Sequence, residues 1–337
     1  MRHPHQQAEA ASLAFRKFLQ SSIDGERDSL AALSVVTSQL PLNNFDAWES
    51  MIRIEIWQTV RSAQAARWKF WKATRRSSTW LDFCNADGFA RERSFRSIRE
   101  AAPDGFLFSL ALRRLNDWVP QVRHAAREHI HAIAARSQPS VIADALWGAL
   151  PNVFSWGRME DEDRQVFFSL AAKETVAPLL KNRIIHATSG PSTKILVQIG
   201  RIPVFDPWLD EISTESVQPA TRAKAYRCLF EHRTVWPVGR KWVWTDLKWC
   251  KGTYEPVIEQ RQIKVTTPVL DTLKAAIADR SSIVRRIGAE ILIKEIDALG
   301  DDANLLAKKL ASDHSKYVSE RGEFALTKLR SRPMQEF

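Results

Sequence analysis

Hydrophobic and polar positions recur along this chain with a period of roughly 33 residues. In the clearest copy a turn residue, Asp117, is followed by Val122, Arg123, Ala126 and Ile130. A fixed period of this size predicts supersecondary units stacked on one another. The other copies are Asp279, Val284, Arg285, Gly288, Leu292; Asp313, Val318, Ser319, Gly322, Leu326; and, more loosely, Asn85, Ala90, Arg91, Ser94, Ile98 and Ser216, Thr221, Arg222, Ala225, Leu229.

Each copy joins two helical patterns. Before the turn, Ala111 and Leu115 lie four residues apart, and after it Val122, Ala126 and Ile130 continue one helical face. The unit is therefore a helix A, a turn with the acidic residue, and a helix B. The small residue in helix B lets helix A approach closely. We expect the turn acid to cap helix B or an adjacent turn, and the Arg to pair with that acid or with its equivalent in the next unit.

These copies resemble the HEAT-repeat family, whose units carry this order of Asp, Val-Arg, small and aliphatic residues. The resemblance covers residues 76–331 and implies an all-α fold, a right-handed α-solenoid of about six to seven helical pairs. Residues 1–75 lack the signature, and we interpret them as a divergent helical N-terminal cap. Within this cap the pattern predicts a short helix at 5–20 and a long basic helix at 46–75.

The intervals between the Arg positions predict two further units and one insertion. The interval from Arg123 to Arg222 equals about three periods, so two degenerate units are expected within residues 139–204. The interval from Arg222 to Arg285 exceeds one period by about 30 residues, which predicts an insertion at 234–265. The predicted helices of the degenerate units are 139–150 with 161–174, and 176–187 with 191–200.

The insertion at 234–265 is rich in β-branched and aromatic residues, which predicts a β-hairpin with its turn at 251–253. Aromatic and basic side chains are typical of binding hot spots, and insertions are where repeat arrays acquire specific contacts. The alternative is that the aromatic side chains pack the hairpin onto its own repeats. The predicted partner-binding residues are Arg240, Lys241, Trp242, Trp244, Lys248, Trp249 and Lys251.

A second candidate site is the segment 57–76, where basic residues alternate with Trp and no acid occurs between Arg61 and Arg76. Basic groups neutralise phosphates and Trp stacks on unpaired bases, so this composition suits an anionic ligand such as nucleic acid. The same spacing also suits a helix whose Trp side chains pack against the first repeat while its charges face solvent. The candidate residues are Arg61, Arg67, Trp68, Lys72, Arg75 and Arg76.

Composition narrows the class of protein. The net charge of +10 favours an anionic partner, and the three cysteines lack the spacing of a zinc site or a disulfide framework. His124, Glu128 and His131 share one helix face, but we interpret this as a solvated face and predict no metal or other cofactor. We find no apolar signal segment or membrane span, so we expect a cytoplasmic protein without a membrane partner.

No motif for nucleotide binding or nucleophilic catalysis is present, so we expect a binding protein rather than an enzyme. The leading hypothesis is a protein-binding HEAT-like module, a scaffold or an inhibitor of the immunity type, that uses its concave face and inserted hairpin. The alternative is a nucleic-acid-binding HEAT-like protein. Some basic, Trp-bearing HEAT-like proteins are DNA glycosylases for alkylated bases, and such an enzyme needs an Asp near aromatic side chains and Arg. The sequence assigns no such set, since the repeat places its Asp residues in turns.

Overall fold

The computed structural model describes residues 4–24, 29–42, 44–67 and 78–331. These residues are mostly helical, with one two-stranded antiparallel sheet. The predicted all-α class with a β-hairpin is therefore confirmed. The chain divides into two compact units, residues 1–180 and 181–337. The predicted boundary between a cap and a repeat array, at residue 75, stays a prediction.

The first unit begins with two helices that flank a shorter one absent from the predictions, Ser29–Thr37. Its last described helix before residue 68 ends at Arg67, so the rest of the predicted 46–75 helix lies outside the described residues. The helices are α1 (Pro4–Asp24), α2 (Ser29–Thr37), α3 (Phe45–Arg67), α4 (Gly88–Ser97), α5 (Gly105–Leu112), α6 (Pro120–Arg136), α7 (Pro139–Ala149) and α8 (Asp161–Ala171), with 3₁₀ turns at Trp80–Cys84, Arg113–Asn116 and Leu150–Asn152.

Helix α9 (Ala177–His186) contains the division between the units. Helices α7 to α10 lie where the two degenerate units were predicted. The elements after α9 are α10 (Ser192–Ile199), a 3₁₀ turn at Pro203–Trp208, α11 (Leu209–Glu215), α12 (Pro219–Glu231), β1 (Arg233–Asp246), β2 (Lys251–Gln262), α13 (Val269–Ile277), α14 (Ser282–Lys294), α15 (Gly300–Ala311) and α16 (Lys316–Arg330).

The core of the first unit is centred on α5, whose residues are all buried. Phe106 on this helix stacks on Phe45, with ring centroids 5.4 Å apart, and meets the edge of Trp48 at 6.4 Å. At Gly105, an added Cβ would lie 2.7 Å from the Cβ of Asp144 on α7. Helix α5 is therefore buried on every side, which explains why all of its residues except Ser109 are apolar.

The small residue of the repeat signature lies where two helices touch. An added Cβ at Gly322 on α16 would lie at an overlapping distance from the backbone nitrogen of Ala311 on α15. At Gly288 on α14 it would lie 2.9 Å from Ile277 of α13. Real Cβ contacts are longer than these distances, so the close approach of helices A and B depends on the missing side chain.

Three of the four signature arginines, Arg91, Arg222 and Arg285, pair with the acid of the next copy along the chain, whereas Arg123 pairs with Glu160. Arg91 binds both carboxylate oxygens of Asp117 at 2.8 Å, and Arg285 binds those of Asp313 at 2.6 and 2.9 Å. The remaining guanidinium nitrogen of each Arg donates instead to a carbonyl oxygen of its own turn. For Arg91 this acceptor is the carbonyl oxygen of Asn85. In these three pairs the structure adopts, of the two predicted pairings, the one with the next unit. We call this series of ion pairs the arginine ladder.

The acids of the arginine ladder also hold the turns that lead into their helices. Asp117 accepts a hydrogen bond from the backbone N–H of Val119 at 3.0 Å, and Asp313 accepts one from Ser315 at 2.8 Å. Burial alone would raise the pKa of Asp117, but the hydrogen bonds from Arg91 and Val119, and the charges of Arg114 and Arg91, hold that pKa below its ordinary value. One carboxylate thus stabilises the turn before its own helix and the contact with the neighbouring unit.

The inserted hairpin is confirmed. Strand β1 pairs antiparallel with β2, from Arg233 opposite Gln262 at the base to Asp246 opposite Lys251 at the tip. The predicted turn at 251–253 is wrong, because these residues open β2. Asp246 sets the turn instead: its Oδ1 accepts hydrogen bonds from the N–H groups of Lys248 and Trp249 at 3.0 and 3.2 Å. Residues 247–250 connect the strands, and Cys250 adopts a φ of 50°.

Candidate functional site

The base of the hairpin is fixed to the helices of the second unit. Thr234 donates a hydrogen bond of 2.7 Å to the carbonyl oxygen of Gly200, which also accepts from Arg261 at 2.8 Å. Arg261 forms a second, two-bond contact with the carboxylate of Asp206, each bond 2.7 Å long. Trp236 is buried and donates to Glu259 at 3.1 Å. The base is therefore held by both of its strands.

The outer hairpin, residues 238–258, projects large side chains into solvent. Trp244 is 52% exposed, Trp249 66% and Tyr254 63%. Leu247 in the turn and Ile258 on β2 are exposed as well. The alternative that aromatic side chains pack the hairpin onto its repeats describes Trp236 at the base, but not the aromatic side chains of the outer hairpin.

The aromatic side chains of the outer hairpin order one another. The ring of Trp242 meets that of its cross-strand partner Tyr254 edge-on at 4.9 Å and that of Trp244 at 5.5 Å. Gly252 lies under this cluster, and a Cβ there would come within 2.5 Å of the Trp242 ring. Aromatic pairs in such edge-to-face geometry stabilise each other by about 0.5–1.5 kcal/mol. The cluster therefore presents a preformed surface.

The outer hairpin is also basic. It contains four basic residues against Asp246 and Glu255, a net charge of +2. Among the described residues none forms an ion pair with these four cations, although the ammonium of Lys248 lies 5.7 Å from the ring centroid of Trp249. The four basic residues are Arg240, Lys241, Lys248 and Lys251. All seven residues predicted to bind a partner thus lie on the outer hairpin.

A groove of about 500 Å³ lies beside the base of the hairpin, within the second unit. Val197, Lys224 and Cys228 from the helices form one wall, and Trp236 and Ile258 from the strands form the other. Its lining is mostly apolar. It adjoins the outer hairpin through Ile258, so a partner that contacts the hairpin can reach it.

Only the beginning of the predicted anionic-ligand segment is described. Trp57 is 59% exposed, and the guanidinium carbon of Arg61 lies 5.1 Å from its ring centroid. Of the remaining candidates, the side chain of Arg67 and all of Trp68, Lys72, Arg75 and Arg76 lie outside the described residues.

The sequence did not indicate a basic pocket of about 460 Å³ in the first unit, which we call the arginine pocket. It combines five arginines and two tryptophans with Glu49 and Asp117. The hint in the sequence is the run Arg113-Arg114 followed closely by Asp117-Trp118, but the other lining residues come from distant segments. The arginines and tryptophans are Arg53, Arg91, Arg113, Arg114, Arg158, Trp118 and Trp156.

The acids of the arginine pocket are held by its arginines. Glu49 accepts a hydrogen bond from Arg113 at 2.9 Å and pairs with Arg114 and Arg53. Burial would raise the pKa of Glu49, but the charges of these three arginines outweigh it and lower that pKa. Asp117 is bound through both oxygens by Arg91 and also by Arg114. Carboxylates with this many donors are structural acceptors, and we assign neither a catalytic role.

The face of α6 that bears His124, Glu128 and His131 does not gather a ligand set. His124 lies 3.1 Å from Glu128, with both side chains exposed, whereas His131 meets Ser169 at 3.4 Å. Within residues 4–24, 29–42, 44–67 and 78–331, no three His, Cys, Asp or Glu side chains group as metal ligands would. Across the same described ranges, no helix has the length and apolar character needed to cross a membrane.

Comparisons with protein-family models, with curated proteins and with solved structures each gave no match.

Proposed function

We propose that this chain is a HEAT-like α-solenoid that binds a protein partner without catalysing a reaction, and that the outer hairpin is its main contact. The observation that carries the proposal is the exposure of Trp244, Trp249 and Tyr254 on an anchored hairpin. Exposed aromatic side chains grouped in this way are typical of binding surfaces. A scaffold or an inhibitor of the immunity type would use such a surface.

Preorganisation supports a binding role. Arg261 and Thr234 fix the base of the hairpin, and Trp242 packs against Tyr254 in the outer part. A partner would therefore meet side chains that are already ordered, and little conformational entropy would be lost on binding. Tyr and Trp also provide large contact areas with few rotatable bonds.

The charge of the outer hairpin indicates the chemistry of the partner. Its four basic side chains are exposed and lack ion-pair partners among the described residues, so they are available to an acidic surface. The exposed aromatic side chains would bind in apolar cavities of that surface. We therefore propose an acidic protein with an apolar recess, which the cations would attract and the tryptophans would anchor.

The test uses Trp244→Ala and Trp249→Ala together, because both side chains are exposed and neither is part of the helical core. A photo-crosslinking residue at position 247 captures the partner, which is identified and purified for calorimetry with the full chain. We expect the double variant to bind this purified protein at least about tenfold more weakly. Trp118→Ala is the matched control, since Trp118 is similarly exposed and lies in the other unit.

Equal affinity of the double variant and the unaltered chain would reject the hairpin as the interface. A further variant, Lys248→Glu with Lys251→Glu, tests the sign of the partner's charge. An acidic partner loses affinity to it, and the loss shrinks as salt is raised. A gain in affinity would show that the partner is basic and would contradict the proposal.

Nucleic acid is the second candidate partner, favoured by the exposed Trp57 with Arg61 beside it and by the net charge of +10. Binding of duplex and single-stranded oligonucleotides would be measured by fluorescence anisotropy across a salt series. A nucleic-acid-binding protein of this charge would lose affinity steeply as salt rises, because each neutralised phosphate releases counterions. Absence of binding at low salt would reject this candidate.

A further inference from the structure

We propose that the arginine pocket of the first unit binds the phosphate ester of a nucleoside, with arginine on the phosphate and tryptophan on the base. This site is separate from the outer hairpin and does not depend on the function proposed for it. The inference rests on three features of the pocket. These are its positive charge, its exposed indole, and an arginine whose guanidinium forms no ion pair with any described residue.

The pocket keeps a positive charge after its own ion pairs are counted. Five arginines and two carboxylates line it, which leaves a net charge of +3. Because the pKa of Glu49 and that of Asp117 are both lowered, the two acids are ionised at neutral pH and are already included in this count. A cavity of this charge attracts anions, and arginine binds phosphate through two parallel hydrogen bonds.

The guanidinium of Arg158 is available to bind a phosphate. Its backbone N–H donates to Asn116 at 3.0 Å, which fixes the loop at the pocket, while its side chain is exposed. Among the described residues, none pairs with its guanidinium. The Nε–H of Arg114, which also lines the pocket, is buried without an acceptor, so the donors of the pocket outnumber its acceptors. A phosphate next to Arg158 would correct this imbalance.

Two indoles give the pocket an aromatic component. Trp118 is 68% exposed, and the guanidinium carbon of Arg91 lies 5.8 Å from the centroid of its indole ring. Trp156 is partly buried. The guanidinium carbon of Arg113 lies 5.5 Å from the centroid of its ring, and the ring packs edge-to-face against Phe167. A base can stack on such a side chain and gain affinity from it. Phosphate alone would not use this surface, and the volume of about 460 Å³ is within the range of small-molecule sites.

The experiment titrates the full chain by calorimetry with three probes: inorganic phosphate, AMP and a ten-residue oligothymidylate. We expect AMP to bind at least about tenfold more tightly than phosphate, because only AMP can stack. The variants Arg158→Gln and Trp118→Ala should each weaken AMP binding by about tenfold. Both side chains are exposed, so both variants are expected to fold.

The matched controls are Arg99→Gln and Trp249→Ala, an exposed arginine and an exposed tryptophan outside the pocket. The proposal holds if the controls bind AMP like the unaltered chain while the pocket variants do not. It is overturned if AMP binds no better than phosphate, or if the pocket variants and controls behave alike. Tighter binding of the oligonucleotide, lost in the same variants, would identify a strand as the source of the phosphate ester, and weaker binding would identify a free nucleotide.

Discussion

Arg222 binds Asp279 through two hydrogen bonds, of 2.7 and 2.8 Å, although the whole hairpin lies between them in the sequence. The guanidinium is fully buried and also donates to the carbonyl oxygen of Ser216 at 2.6 Å. The contact is equivalent to those of Arg91 with Asp117 and of Arg285 with Asp313. The arginine ladder therefore continues from α12 to α14 as if the insertion were absent.

Replacing Arg222 by Met should cost about 3–5 kcal/mol of the free energy of unfolding, because the Asp279 carboxylate would remain largely buried without its counter-charge. Urea denaturation followed by circular dichroism measures the change. Arg285→Met is the comparison: that pair is more exposed, so its loss should be smaller. A loss below about 1 kcal/mol for Arg222→Met would show that the ion pair does not stabilise the fold.

Gly322→Ala should destabilise the second unit by about 1–3 kcal/mol, since the new methyl group would overlap the backbone of Ala311 and force α15 and α16 apart. Gly157→Ala is the control, because nothing lies within 4 Å of a Cβ at that position. Thermal denaturation of both variants gives the comparison. Equal stability of the two would contradict the account of the small residue in the repeat signature.

Gly252→Ala should disturb the aromatic cluster while leaving the helices intact. The added Cβ would press on the Trp242 ring, so the near-ultraviolet circular dichroism of the tryptophans should decrease. We expect an overall loss of only about 1 kcal/mol, the size of the aromatic pair contacts. Gly239→Ala in the same hairpin meets open space and should leave the spectrum unchanged. A Gly252→Ala spectrum identical to that of the unaltered chain would refute this packing.

Stability should fall in acid because several carboxylates have lowered pKa values in the folded chain. The hydrogen bond from Arg285 lowers the pKa of Asp313 below its ordinary value of 3.8, and Glu49 and Asp117 are lowered as well. Their stabilising contribution is complete above the ordinary pKa of the unfolded chain. It is lost as pH falls from there through the lower pKa of the folded state.

This acid dependence is measured by urea denaturation at a series of pH values between about 7 and 3. Asp313→Asn removes one of the responsible groups, so this variant should be less stable at neutral pH and should lose less on acidification. If its stability falls with pH as steeply as that of the unaltered chain, the Arg285–Asp313 pair does not contribute to the acid dependence.

Regular spacing made the helical pairs, the small residues and the hairpin predictable from the sequence, because each depends on neighbours along the chain. The turn of the hairpin was misplaced because Gly252 suggested a bend. In the structure this glycine instead leaves room for the Trp242 ring, and Asp246 forms the turn through its side chain. A glycine required by packing and one required by a turn cannot be distinguished in a single sequence.

The arginine pocket could not be predicted because its lining comes from segments as far apart as Glu49 and Arg158. No repeat spacing connects these residues, and three-dimensional packing alone brings them together. The ladder pairing had a similar limit. The signature placed an Arg near two acids, its own and that of the next unit, and only the packing of successive helices decided between them.

The ends of the hairpin meet, since the N–H of Ile263 donates to the carbonyl oxygen of His232 at 2.9 Å. His232 makes this possible by adopting a left-handed conformation with φ of 52° at the end of α12. Chain that leaves and returns at one point can be lengthened, shortened or exchanged at small entropic cost. Mutation could therefore alter the outer hairpin without changing the helices, and a laboratory could graft a different recognition loop there while keeping Thr234 and Arg261 at its base.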